Sequence, residues 1–210
     1  VTEAREQTAY QDIKAAILDG RIEADTILSE RSLAVEFGVS RTPLRGALSR
    51  LERESVIARL ENGALLVRSV SIEHLLEIVQ LRAILEGTAA RRAAERGSHA
   101  ALDASAEEMR RFADGATVGF DTFWAADDRF HDAVAEAAGY ALLPGILAEQ
   151  RATARRCTIT RVHDRFDEQA REHLAVVEAI LAGDGDAAEA AMERHFDNVR
   201  RRFLDWLGRQ

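Results

Sequence analysis

The chain has 210 residues and a net charge of −8 at neutral pH, from 28 basic and 36 acidic residues. That length suits one large or two small domains with a real core, while the charge excludes wholesale coating of nucleic acid. The single cysteine, Cys157, excludes an internal disulfide framework and a cysteine-rich zinc signature, so any metal must be held by histidine and carboxylate.

The first twenty-five residues mix Glu, Arg, Gln, Asp and Lys without an apolar block, and no later run could span a bilayer. A cytoplasmic protein is expected. The charge is unevenly spread: residues 1–70 carry ten basic against eleven acidic side chains, net −1, leaving −7 for the rest. Within residues 31–59 six arginines face three glutamates, a local basic patch of +3.

Apolar residues recur at helical spacing through most of the chain, and only residues 56–70 read as extended. A first helix is predicted over 5–19, with Tyr10, Ile13 and Ile17 on one face and Gly20 as its end. "LSERSLAVEFG" follows as a short helix, capped by Ser29 and stopped at Gly38. Ser40 caps a third helix, in whose first turn Pro43 is tolerated because that amide has no helical partner. "VIARLENGALLVRSV" then holds two short β-prone runs around Asn62-Gly63, a strong hairpin signal. Helix, helix, helix, hairpin is the order of a winged helix-turn-helix over residues 1–70. From Ser71 onward helices are predicted near 71–96, 100–113, 118–138, 141–157, 166–182 and 185–207, with breaks at Gly97, Gly115, Gly139 and Gly183–Gly185. The fold class is therefore mainly α, with the winged domain at 1–70 and an all-α bundle at 71–210.

At 100° per residue, Leu44, Ala47, Leu48 and Leu51 of "VSRTPLRGALSRLERE" share one narrow arc, and Thr42, Arg45, Gly46, Ser49 and Arg53 take the other side. Wheel geometry alone is equally that of a solvated amphipathic helix. Guanidinium forks and hydroxyls near a helix start, with Gly46 permitting close approach, are also what a recognition helix brings to the major groove. The stretch "LSERSLAVEFGVSRTPLRGALSRLERESVI" resembles the reading head of the GntR family of bacterial transcription regulators, through S-E-x-x-L-A followed by V-S-R-T-P-x-R-x-A-L-x-x-L. By that resemblance Arg31, Arg41 and Arg45 are DNA-contacting arginines, Ser40 and Thr42 contact phosphate or base, and Asn62-Gly63 is the tip of a minor-groove wing. The chain departs from the family pattern at Gly46, where Glu is usual, and at Glu54-Ser55-Val56, where the family has Glu-Gly-aliphatic. Its wing tip also lacks the common Arg before Gly.

In "FDTFWAADDRFHDAVAEAAG", Asp127 and His131 lie four apart on one helix face, otherwise made of Phe120, Phe123, Trp124, Phe130 and Val134. His173 lies in the apolar stripe of Phe166, Ala170, Val177 and Ile180, and His195 in that of Ala188, Met192, Val199 and Trp206. Each alone reads as an ordinary core histidine that needs a partner. Together, one Asp and three His from three helices can build a metal site in a bundle core. Such a donor set suits zinc or nickel and also accepts manganese or iron. His74 faces away from its helix's stripe, and His99 and His163 fall in connections, so none of these three is counted. The four positions also resemble the metal site of the FadR-type subfamily with its FCD ligand-binding domain, through "DDRFH", "EHLAVVEAILAGD" and "AAEAAMERH". Tyr140 departs from that pattern, where Asn is common.

Arg82 and Glu86 fall inside the apolar arc of Ile72, Leu75, Leu76, Val79 and Ala83. They form either an i, i+4 ion pair or an arginine that meets a ligand carboxylate. The resemblance implies a small organic acid effector near the metal, and a homodimer that represses transcription from a pseudo-palindromic operator. Two other readings stand beside it: a regulator that senses the metal itself, and a metal-dependent enzyme, although no separate acid, base or nucleophile lies at motif spacing.

Overall fold

The computed structural model describes residues 2–97, 100–116, 118–157 and 166–209. They form two compact units, Val1–Val70 and Ser71–Gln210. His99 and His163 lie outside the described residues.

The first unit runs α1 (Thr2–Leu18), β1 (Ile27–Leu28), α2 (Glu30–Glu36), α3 (Arg41–Arg53), β2 (Ile57–Arg59) and β3 (Leu65–Val67). Its core joins Tyr10, Ile13 and Ile17 of α1 to Leu33 of α2, to Leu44, Leu48 and Leu51 of α3, and to Ile57, Leu65 and Val67 of the sheet. Burying a set of this size outweighs the weak helical preference of any single segment. The start of α2 is closed by a reciprocal pair, in which Ser29 accepts from the Ser32 amide and Ser32 accepts from the Ser29 amide.

The strands β2 and β3 pair antiparallel with Ile57 opposite Val67. Their turn is a three-residue loop: Gly63 N–H donates to Leu60 O, Leu60 N–H donates to Ala64 O, and Gly63 takes φ +81°. β1 was not foreseen. It adds an edge to β3, giving the order β1-β3-β2, and at two residues it is too short to show a period. Ser55 has φ +54°, a left-handed conformation that explains why the family prefers glycine at this step.

In the second unit α4 (Ile72–Arg96), α5 (Ala100–Ala113), α6 (Phe120–Ala138), α7 (Leu143–Arg155), α8 (Phe166–Leu181) and α9 (Gly185–Leu207) form a bundle. α4 lies along α9 and α6, α8 packs between α5 and α9, and Phe130 and Phe196 are wholly buried among them. The carboxyl end of α6 is satisfied from a neighbour. Arg92 and Arg96 of α4 donate to Ala138 O (2.8 Å) and Ala137 O (3.1 Å), where the last helical carbonyls lack intrahelical partners. Tyr140 follows that end and lies under the Arg92 guanidinium, 4.4 Å from ring centre to carbon.

Candidate nucleic-acid interface and metal centre

The seven residues expected at DNA are all exposed: Arg31 on α2, Ser40, Arg41, Thr42 and Arg45 at the start of α3, and Asn62 and Gly63 at the hairpin tip. Among the described residues Arg31 and Arg41 take part in no ion pair. Arg45 does. Its Nε donates to Glu30 (3.1 Å), whose other oxygen accepts from Arg59 Nη1 (3.1 Å), which also reaches Gly63 O (3.4 Å). This chain of contacts ties the reading helix, the start of α2 and the wing tip together. Arg45 remains 68% exposed in its side chain, so the pair with Glu30 is a weak surface one.

Two local expectations change. Ser40 occupies the N-cap position but makes no side-chain capping bond. Gly46 does not open the outer face to a close approach: a Cβ there would meet the Glu6 carboxyl group of α1. The glycine therefore accommodates a neighbour within its own unit.

In the bundle, burial is nearly complete for His131 (1% exposed), His173 (0%), His195 (1%) and Asp127 (5%). The three histidines bring one ring nitrogen each to within 4.8 Å of one another. Asp127 adjoins them, with its carboxylate 3.7 Å from His131 Nε2 and 3.5 Å from His173 Nε2. Four ligands about 2.1 Å from a central ion stand about 3.4 Å apart; each Asp127 oxygen lies near that spacing from one histidine, Oδ2 from His131 and Oδ1 from His173, and the histidine triad would have to draw in slightly to hold an ion.

Orientation supports the same fit. His131 turns Nδ1 to Glu86 of α4, and His195 turns Nδ1 to Glu172 of α8 at 2.9 Å. Both rings therefore offer Nε2, and a carboxylate behind a ligating imidazole fixes its tautomer and raises its basicity. His173 has Met109 Sδ against Nδ1 at 3.4 Å, and its Nε2 is buried without a hydrogen-bond partner among the described residues. An orphaned acceptor in an apolar core calls for a partner, and a divalent ion supplies one.

The electrostatics follow from burial. Desolvation holds the His131 and His173 pKa values well below the ordinary imidazole range and lowers that of His195, so all three are neutral and ready to donate a lone pair. Desolvation also pushes the Asp127 carboxyl up to about 7, against the opposing charge of Arg82. Glu172 is held at about 2 despite its burial, because bonds from His195 and Arg202 outweigh desolvation.

Arg82 and Glu86 are both buried, at 7% and 0% exposed, and form the i, i+4 pair with Nε donating to Oε1 at 2.7 Å. That pair does not use the whole guanidinium. Nη2 is buried with no hydrogen-bond partner among the described residues, and the group lies 4.9 Å above the Phe196 ring. Arg82, Asp127, His131 and His195 line one cavity.

The sequence reading missed Glu172, Arg202 and Gln169. Gln169 donates to Asp127 Oδ1 (2.8 Å), and Arg202 grips Glu172 with two bonds at 2.8 and 3.0 Å. Arg202 could have been found, because it lies seven residues beyond His195 and so within about 20° of it on the helix wheel.

A winged helix-turn-helix with an exposed arginine-bearing reading helix, joined in one chain to an all-α bundle, defines a DNA-binding transcription regulator. Sequence comparison gives the particular family. Residues 5–67 match "Bacterial regulatory proteins, gntR family" and residues 77–198 match "FCD domain". The chain belongs to the GntR family of regulators, in its branch with an FCD domain, and not to a family of enzymes. It is 26% identical to the HTH-type transcriptional repressor RspR of Escherichia coli, over 100% of this chain and 96% of that protein. It is likewise 26% identical to the gluconate operon transcriptional repressor of Bacillus licheniformis, over 95% of this chain and 85% of that protein. Among solved structures, McbR/YncC of E. coli shares its fold with a TM-score of 0.77 at 18% identity, covering 96% of this chain and 98% of that one.

Proposed function

We propose that this protein is a cytoplasmic, ligand-responsive repressor that binds a pseudo-palindromic operator as a homodimer, with residues 1–70 reading DNA and residues 71–210 binding effector and mediating dimerisation. Arg31, Arg41, Arg45, Ser40 and Thr42 approach the major groove and its phosphates, and the Asn62-Gly63 tip approaches the minor groove. One recognition helix spans too few base pairs for genomic specificity, and two related by symmetry multiply the discrimination. On α4, Leu81 and Ile84 are 46% and 61% exposed on one face, apolar surface suited to a second copy.

In the bundle, Asp127, His131, His173 and His195 hold a divalent ion, zinc or nickel before manganese or iron. When bound, the ion supplies a Lewis-acidic position for an effector oxygen, and Arg82 receives the effector's carboxylate through Nη2. Glu86 and Phe196 keep that guanidinium in place. The effector, a small organic acid, acts only through unequal affinity for the DNA-binding and released states.

The observation that carries this reading is the buried, partnerless Nε2 of His173 beside Asp127 and two further imidazoles. Metal content and operator binding are measured together to test it. Protein loaded with zinc holds one ion per chain, and a carboxylic acid changes operator affinity while the metal stays bound. If operator affinity instead follows metal occupancy alone, the protein senses the metal and the effector reading is wrong.

A further inference from the structure

We infer that Glu30 is a specificity residue of the reading head: its carboxylate braces Arg45 for a base and withholds that arginine from phosphates. This rests on the reading of Arg45 as a DNA contact given above and deepens it. Glu30 opens α2, and Arg45 stands in the second turn of α3. The carboxylate is fixed on both oxygens. One accepts from Arg45 Nε and the other from Arg59 Nη1, each at 3.1 Å. Arg59 is itself anchored to Glu52 of α3, through Nε at 3.2 Å and Nη2 at 3.4 Å. The bond from Arg45, with that from Arg59, holds the Glu30 carboxyl below its ordinary range, so it is charged at neutral pH.

What is left of Arg45 is the end that reads a base. Among the described residues none accepts a hydrogen bond from its terminal nitrogens, and the side chain is 68% exposed. The N–H groups on those two nitrogens can meet guanine O6 and N7 together. An unbraced arginine gives up rotamer freedom to reach that geometry, and a braced one has less to give up. The exposed pair adds little to folding stability. Its effect is on where the guanidinium points.

Charge supplies the second half of the role. Arg45 and Arg59 against Glu30 and Glu52 sum to zero, so this group as a whole attracts no phosphate. Arg31 and Arg41, outside any ion pair among the described residues, carry that attraction. On a wrong sequence Arg45 finds only phosphate to bind, and reaching it leaves the Glu30 carboxylate at the DNA with one partner fewer. Glu30 thus acts against wrong sites as well as for the right one.

The test begins with selection of a duplex by the full wild-type chain from a pool of randomised DNA. Fluorescence anisotropy then measures that duplex, its single base-pair variants and a duplex of unrelated sequence against wild type, Arg45→Ala, Glu30→Ala and the double variant. Arg45→Ala should abolish preference at one symmetric position, a loss of roughly 5- to 150-fold per half-site. At that same position Glu30→Ala should lose about two- to fivefold per half-site. It should also bind unrelated DNA more tightly, with a slope of log affinity against log salt steeper by about one unit per head. In the Arg45→Ala background Glu30→Ala should alter no base preference, which a merely structural role in α2 would not produce. Base preference unchanged in Glu30→Ala, or unrelated DNA bound no more tightly, or the same loss persisting without Arg45, overturns this inference and leaves Arg45 as a base reader. Wild-type preference at every position in Arg45→Ala, or a pool from which no duplex is enriched, overturns both.

Discussion

Asp127→Asn separates what the cluster does with a metal from what it does without one. In the metal-free fold the Asp127 carboxyl titrates at about 7 against 3.8 for an unhindered aspartate, chiefly because it is desolvated. A folded pKa above the unfolded one means that the stability contributed by the protonated form is complete below about pH 3.8. It is lost as pH rises through about 7. The difference of about three units is worth about 4 kcal/mol at most, and asparagine, which has no charge to bury, avoids that loss. Its amide oxygen still accepts from Gln169. Chelated Asp127→Asn is therefore expected to be more stable than chelated wild type by about 2 to 4 kcal/mol at pH 8, with the gap closing towards pH 4. The three histidines lose stability as pH falls below their unfolded value of about 6.5, but both proteins share that effect and it cancels. Adding zinc should reverse the order, since only the carboxylate completes the donor set. Urea titrations of the chelated and zinc-loaded full chains at pH 4, 6 and 8, followed by far-ultraviolet circular dichroism, read both effects. A chelated variant no more stable than wild type at pH 8 would refute the claim that an uncompensated carboxylate is buried there.

Other substitutions probe the remaining parts. Arg45→Ala should cost about 1 to 3 kcal/mol in operator binding if its guanidinium reads a base, measured by fluorescence anisotropy at fixed salt, and unchanged affinity would remove it from the interface. His173→Ala should lose the bound ion and with it the thermal stabilisation that zinc gives wild type; full metal content by mass spectrometry would contradict the site. Ser55→Gly should stabilise the first unit by up to about 1 kcal/mol, because glycine occupies φ +54° without strain, while operator affinity stays the same. Gly46→Ala should behave alike, gaining about 0.5 to 1 kcal/mol of helix propensity as the flexible Glu6 side chain swings aside; weakened DNA binding would show that Gly46 faces the groove after all.

How far the sequence reveals the molecule depends on whether a feature is periodic. The helices of the second unit begin and end within a few residues of the spans set by apolar spacing and by glycines such as Gly139, whose φ of +71° ends α6. The inward Asp127, His131, His173 and His195 were legible because each interrupts an apolar stripe with an ionisable group, and the fold brings the three histidines together. β1 was not legible, since two residues carry no period. The role of Gly46 was misread because a helical wheel has two sides only, and the side away from Leu44 and Leu48 still meets α1. Glu172 was missed for a related reason. Beside His173 in sequence, it points 100° away on the wheel and looks like surface, yet it reaches His195 on α9 and is itself held by Arg202 and Asn198 (2.8 Å).

The carboxylates behind the histidines bear on what the cluster is for. A structural core histidine needs a partner at each ring nitrogen, and on the Nδ1 side His131 and His195 already have theirs in Glu86 and Glu172. Nothing in that role requires their other nitrogens to be turned toward His173 and Asp127, where burial of several polar groups costs stability. The helices involved are α4, α6, α8 and α9, so whatever occupies the centre ties together four of the elements of the bundle. A ligand that binds there and favours one arrangement of these helices over another can shift their populations only by the ratio of its affinities for the two. A twentyfold change in operator affinity needs a coupling of about 1.8 kcal/mol, which is comparable to one charge-assisted hydrogen bond made in one arrangement and absent from the other. The partnerless Nη2 of Arg82 is placed to make such a bond, and its removal should leave zinc binding and unliganded operator binding unchanged while abolishing the response to acid.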